Sequence, residues 1–231
     1  GWSKHRVTNF LSIDCPKVII SGSLRLSKFL ETQKPGPRSN SIDILFIEQI
    51  YRCHTKEHKI FLKFLKHMVR YAKERPELKV KYSGRFEPKP DKGSLKNIDS
   101  VLTGSPIKRV NDRGVEGSYK HILDTNVVVS YDSSIRLEAL AMGKAVLTCN
   151  DQGREGSTTG VWDYVLAICD PMFAVESDKY QVFKSKLDFL LSKSNSAVVS
   201  YAKEKLVQSY CWDKKLIAGK LIEDKVLNIL G

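Results

Sequence analysis

No stretch of the 231 residues approaches the ~20 consecutive apolar residues that cross a bilayer. The first fifteen residues, GWSKHRVTNFLSIDC, hold no continuous apolar core, so a secretory leader is not expected in them. Cysteine is sparse. Cys15, Cys53, Cys149, Cys169 and Cys211 are scattered, odd in number and never spaced as CxxC. A disulfide scaffold is thereby excluded, and a reduced, cytoplasmic protein is expected, with Cys149 and Cys169 as core thiols. The P-loop pattern G-x-x-x-x-G-K-[ST] is missing, as is the dinucleotide pattern G-x-G-x-x-G. There is no G-x-S-x-G elbow, which removes support for hydrolase chemistry. There is no Asp-x-Asp motif, no internal repeat and no long low-complexity tract.

What is present is an ordinary globular composition, 42% hydrophobic and 28% charged, with 38 Lys and Arg against 26 Asp and Glu. The net charge of +12 should draw polyanions: nucleic acid, acidic lipid head groups or phosphorylated sugars. The cations are spread along the chain, and no RNA-recognition, zinc-finger or helix-turn-helix signature accompanies them. The partner expectation is therefore no nucleic acid. Peripheral attachment at an anionic membrane surface stays open.

Strand and helix patterns alternate. Strands are expected at 17–21, 42–47, 78–83, 106–111, 126–131, 144–149 and 164–169. Helices are expected at 24–32, 55–74, 116–123 and 134–142, and two or three amphipathic helices from 177 onward. In helix 55–74, Phe61, Phe64, Leu65, Met68 and Ala72 recur at helical spacing with lysines opposite, and Pro76 stops it. Residues 34–41, KPGPRSNS, read as a linker, and 87–97 as a polar loop. Such alternation predicts an α/β, Rossmann-like parallel sheet with helices on both faces and a helical C-terminal tail. It divides the chain into an N-terminal segment and linker, 1–41, and a Rossmann-like domain, 42–231.

The most informative stretch is 127–150, VVVSYDSSIRLEALAMGKAVLTCN: a buried strand, a polar turn, a short helix and a second buried strand. Ser133 and Ser134 fall at the helix start, where free N–H groups favour phosphate. Glu138 follows one turn on, placed to accept from sugar hydroxyls. The competing reading is plain capping by Ser-Ser and a first-turn carboxylate that suits the helix. The apolar VVVS strand weighs against it. Such a strand is central in a parallel sheet, and ligands there bind outside the carboxyl ends.

Three segments together, KVIISGSLRLSKFL (17–30), GSYKHILDTNVVVS (117–130) and SSIRLEALAMGKAV (133–146), resemble the C-terminal, nucleotide-sugar-binding half of two-Rossmann-domain (GT-B) glycosyltransferases. The enzymes most resembled build bacterial surface polysaccharide and lipopolysaccharide. The resemblance implies that Ser133 and Ser134 hold a donor phosphate and Glu138 accepts from sugar or ribose hydroxyls. It implies that Gly117, Ser118 and Tyr119 cradle the nucleotide. Several such families carry His-Pro after the strand corresponding to 78–83; here SGRF stands there, and Arg85 is the cation placed to meet a phosphate. The loop DQGREGSTT, 151–159, adds glycines, hydroxyls and Arg154 at another strand end.

HTKEH, His54 to His58, matches H-x-x-E-H, and two histidines four apart share one helix face. No third ligand is apparent, so the expectation is a polar helix start with no metal. His54 is then a residue near the donor phosphates. The expected function is transfer of a sugar from a nucleotide-activated donor to a growing glycan or glycolipid acceptor, without metal or cofactor. No catalytic base is assigned, since such families often draw it from the other domain, and a 41-residue N-terminal segment is too short to be that domain. The expectation is therefore a fragment, an acceptor domain on another chain, or a protein that binds without catalysing; a start at Gly rather than Met fits the first. The alternatives are a nucleotide-sugar epimerase of related fold and a non-catalytic nucleotide- or polyanion-binding module.

Overall fold

A computed structural model describes residues 24–32, 41–47, 53–84, 91–110, 117–131, 133, 135–149, 174–175, 177–193, 197 and 200. The chain divides into two compact units, 1–37 with 200–231, and 38–199. In the first, helix α1 (Leu24–Thr32) buries Leu26 and Phe29, three residues apart on one face, and leaves Leu30 exposed.

The second unit is built on a six-stranded sheet in which every neighbouring pair is parallel. Its strands are β1 (Ile42–Ile47), β2 (Val80–Ser83), β3 (Lys108–Val110), β4 (Thr125–Tyr131), β5 (Ala145–Cys149) and β6 (Ala174–Val175), in the order β3-β2-β1-β4-β5-β6. The middle strands IDILFI, TNVVVSY and AVLTC are almost wholly buried, and apolar residues dominate them. The edge strand β3 is short and exposes Lys108 and Arg109, charges that keep a sheet edge from pairing further.

The connecting helices are α2 (Lys56–Glu74), α3 (Lys92–Leu102), α4 (Gly117–Leu123) and α5 (Ile135–Ala141); α6 (Tyr180–Ser192) follows β6. Right-handed crossovers put α2 and α3 on one face and α4 and α5 on the other. On the α2 face Phe61 tilts against Phe46 of β1, and Phe64 lies between Tyr131 of β4 and Phe183 of α6. The α2–α6 contact continues in polar groups. Tyr71 donates to Asp188 at 2.5 Å, Arg75 to the same carboxylate at 3.0 Å, and Lys184 to Glu74 at 2.7 Å.

Helix α3 corrects the sequence reading, which makes 87–97 a loop. Asp91 caps it by accepting from the Ser94 N–H at 2.7 Å. Ser94 and Ile98 then bury against the α2 side of the layer. Composition rich in Lys, Gly, Ser, Asn and Asp hides a helix whose stability comes from packing. Strand β6 at 174–175 also falls outside the expected elements. The strands expected at 17–21 and 164–169, the loop at 151–159 and nearly all of the linker at 34–41 lie outside the described residues. No helix among the described residues is long and apolar enough to cross a membrane.

Candidate functional site

Crossover helices of a parallel sheet begin where the strands end, so the helix starts that follow β1 to β4 stand at one rim. Between β1 and β4 the strand order reverses: the chain leaves β1 toward β2 on one side and returns to β4 on the other. In open α/β sheets such a reversal marks the carboxyl edge where ligands bind. Ile47, the last residue of β1, is level with Ser83 of β2 and Ser130 of β4, and Ser130 is level with Thr148 of β5. Register partners share a face, so three buried hydroxyl residues flank Ile47 along the rim. Sequence analysis passes over them, although a polar residue closing an apolar strand is a readable signal.

Strand β4 leads directly into the segment singled out from sequence. Ser133 is 9% exposed, and its carbonyl accepts from the Arg136 N–H at 3.3 Å as α5 opens. Glu138 is half-buried one turn into α5. Gly117, Ser118 and Tyr119 are the first three residues of α4, with Gly117 and Tyr119 buried and Ser118 half-buried. Because α4 packs on β1 and β4, and α5 on β4 and β5, both helix starts stand at the rim on the same face. Ser134, Arg85 and Arg154 lie outside the described residues.

Arg136, which sequence analysis did not select, is 2% exposed. Its neighbour at the end of β5 is Cys149, whose thiol burial pushes far up while the positive charge of Arg136 pulls it back. A buried guanidinium thus stands near the Cys149 thiol at the end of β5.

Two further helix starts complete the rim. Thr55 caps α2 by accepting from the His58 N–H at 3.2 Å. The Cys53 thiol, just before it, is bonded to Asp91, and burial followed by that carboxylate's charge raises its pKa. His54 is exposed at this loop, whereas His58 is buried. The Asn97 amide nitrogen donates to His58 Nε2 at 3.3 Å, which leaves Nδ1 to carry the proton toward Ser94 Oγ at 3.2 Å. Burial lowers the His58 pKa, so the ring is neutral and both nitrogens are engaged by α3. The second histidine of HTKEH is therefore a core residue joining two helices.

No protein-family model matches the sequence, and no curated protein matches it. Solved structures do. The UDP co-structure of MnaA from S. aureus superposes with a TM-score of 0.64 at 16% identity, over 95% of this chain and 57% of that one. A UDP-GlcNAc 2-epimerase from Methanocaldococcus jannaschii, in complex with UDP-GlcNAc and UDP, gives 0.56 at 12% identity, over 84% and 54%. A glycosyltransferase from Rickettsia africae gives 0.54 at 11% identity, over 95% and 59%. The chain spans a little over half the length of these structures. Its fold is the Rossmann-like α/β fold of the nucleotide-sugar-binding half of GT-B glycosyltransferases and UDP-GlcNAc 2-epimerases. At these identities the likeness is one of fold.

Proposed function

We propose that this chain is the donor-binding half of a glycosyltransferase. It holds a nucleotide-activated sugar over the carboxyl rim while the sugar passes to a glycan or glycolipid acceptor. One observation carries the reading: the strand order reverses between β1 and β4, and Ser133 and Glu138 follow immediately after β4. Ser133 and Ser134 contact the donor phosphates, and Glu138 accepts from ribose or sugar hydroxyls. The α4 start, Gly117 to Tyr119, closes on the nucleotide from beside it. Arg85 and Arg154 offset the charge of the departing nucleotide, which is electrostatic catalysis by fixed protein cations in a metal-independent transfer. The acceptor site and the base belong to a second domain.

Neighbours solved with UDP or a UDP-sugar make uridine nucleotides the first to test. Calorimetric titration of the chain with UDP is expected to show binding, stronger than with CMP or GDP. Glu138→Gln and Ser133→Ala should each weaken it by roughly tenfold, the worth of a hydrogen bond to a charged group. Absence of UDP binding, or affinity unchanged in both variants, would remove the assignment.

A second reading, a nucleotide-sugar 2-epimerase, is supported by the likeness in fold to the UDP-GlcNAc 2-epimerase from Methanocaldococcus jannaschii. Proton NMR of UDP-GlcNAc incubated with the protein separates the two. Inversion at C2 supports the epimerase, and an unchanged sugar ring supports the transferase.

A further inference from the structure

Helix α2 carries Lys56, Lys59, Lys63, Lys66, Arg70 and Lys73 at alternating spacings of three and four. At 100° per residue these six form one stripe, opposite the buried face made by Phe61, Phe64, Leu65, Met68 and Tyr71. All six are exposed or half-exposed. Lys63 reaches Asp178 at 3.5 Å and Arg70 reaches Glu74 at 3.0 Å. No carboxylate among the described residues pairs with Lys56, Lys59, Lys66 or Lys73. An amphipathic helix needs a polar outer face, but not one of a single sign: the only acids in α2 are Glu57 and Glu74. A stripe of like charges about 26 Å long repels itself, a cost that an external anion removes.

From this arrangement we infer that the α2 face docks onto an anionic lipid bilayer. The helix is the middle one of a layer of three, with α3 joined to one side through His58 and α6 to the other through Asp188. Its stripe therefore stands on a broad helical face rather than in a groove, which suits a planar partner better than a single strand. The only large hydrophobic residue exposed among the described residues is Leu30, in the other unit, so no aromatic platform for stacking bases is offered on this face. Attachment is by charge without insertion and is screened by salt. It holds the rim from which α2 starts close to the membrane surface. The inference stands on the helix face alone and does not depend on the donor reading.

Sedimentation with vesicles tests it, using the full chain at about 0.1 M salt and vesicles of phosphatidylcholine with or without about a third phosphatidylglycerol. The protein should pellet with the anionic vesicles only, and about 0.5 M salt should release it. Lys59→Gln, Lys66→Gln and Lys73→Gln combined should lower partitioning on the order of a hundredfold. The same charge change at Lys79, Lys108 and Lys120, outside the three-helix layer, should lower it far less. Circular dichroism melts of both triple variants check that each is folded. The inference is overturned if the parent ignores anionic vesicles, if the two triple variants lose binding equally, or if the parent binds soluble heparin through these lysines but not vesicles.

Discussion

At Gly93 a methyl group has no room. A Cβ there would sit 2.9 Å from Cys53 Sγ and 3.2 Å from both Cys53 Cβ and Asp91 Oδ1. Asp91 is committed as the α3 cap and as the acceptor for the Cys53 thiol, so neither neighbour moves without breaking a bond. Gly93→Ala is therefore expected to destabilise the protein by about 1–3 kcal/mol, the usual cost of overpacking, despite the better helix propensity of Ala. Denaturant titration reads this, and Cys53→Ala in the same chain should restore part of the loss. A Gly93→Ala protein as stable as its parent would refute the contact.

The element where local rules are clearest is α5. It ends in a Schellman turn: the Lys144 N–H bonds to the Ala139 carbonyl at 3.0 Å, and the Gly143 N–H to the Leu140 carbonyl at 2.9 Å. Gly143 takes φ of 79°, a left-handed conformation that any side chain resists. Lys144 is buried, and its ammonium donates at 2.7 Å to the carbonyl of Leu123, the last residue of α4. One tripeptide thus stops α5, caps the negative end of α4 and starts β5. Gly143→Ala should cost about 1–2 kcal/mol in thermal or denaturant unfolding. Because this turn sits at the far end of α5 from Ser133, nucleotide affinity measured on the folded variant should stay at the parent's value.

For the molecule as a whole, proton uptake gives the test of how the helical layer is joined. His58 bridges α2 to α3 as a neutral ring, and burial lowers its pKa from the ordinary 6.5. As pH falls below that value the unfolded chain takes up a proton that the folded chain refuses. The bridge therefore contributes fully above the unfolded value, and its contribution is lost as pH drops toward the folded one. Melting temperature should decline between about pH 7 and pH 5, and the decline should flatten in His58→Gln. Equal slopes in the two proteins would show that the ring plays no such part. On the other side of α2, hydrogen bonds from Lys184 and Arg70 hold the Glu74 carboxyl at about 2. That clasp keeps its charge through the same window, fails only in stronger acid, and does not confound the measurement.

Sequence by itself determined the α/β alternation, the buried strands 42–47 and 144–149 and the amphipathic α2, because each rests on hydrophobic period or on a local stop signal. Pro76 and Gly143 act within a few residues of themselves, so their effect is legible in one dimension. The chain also placed Ser133 and Glu138 beyond a central strand before any coordinate did, since the apolar run VVVS announces burial on both faces. Only the tertiary structure decided that residues 92–102 are helix, that His58 joins α2 to α3, and that Ser83, Ser130 and Thr148 share a rim. Those facts depend on partners 18 or more residues away, on the order in which strands pair, and on burial that no single segment can bring about. Periodicity tells which face of an element avoids water; the fold supplies what that face meets.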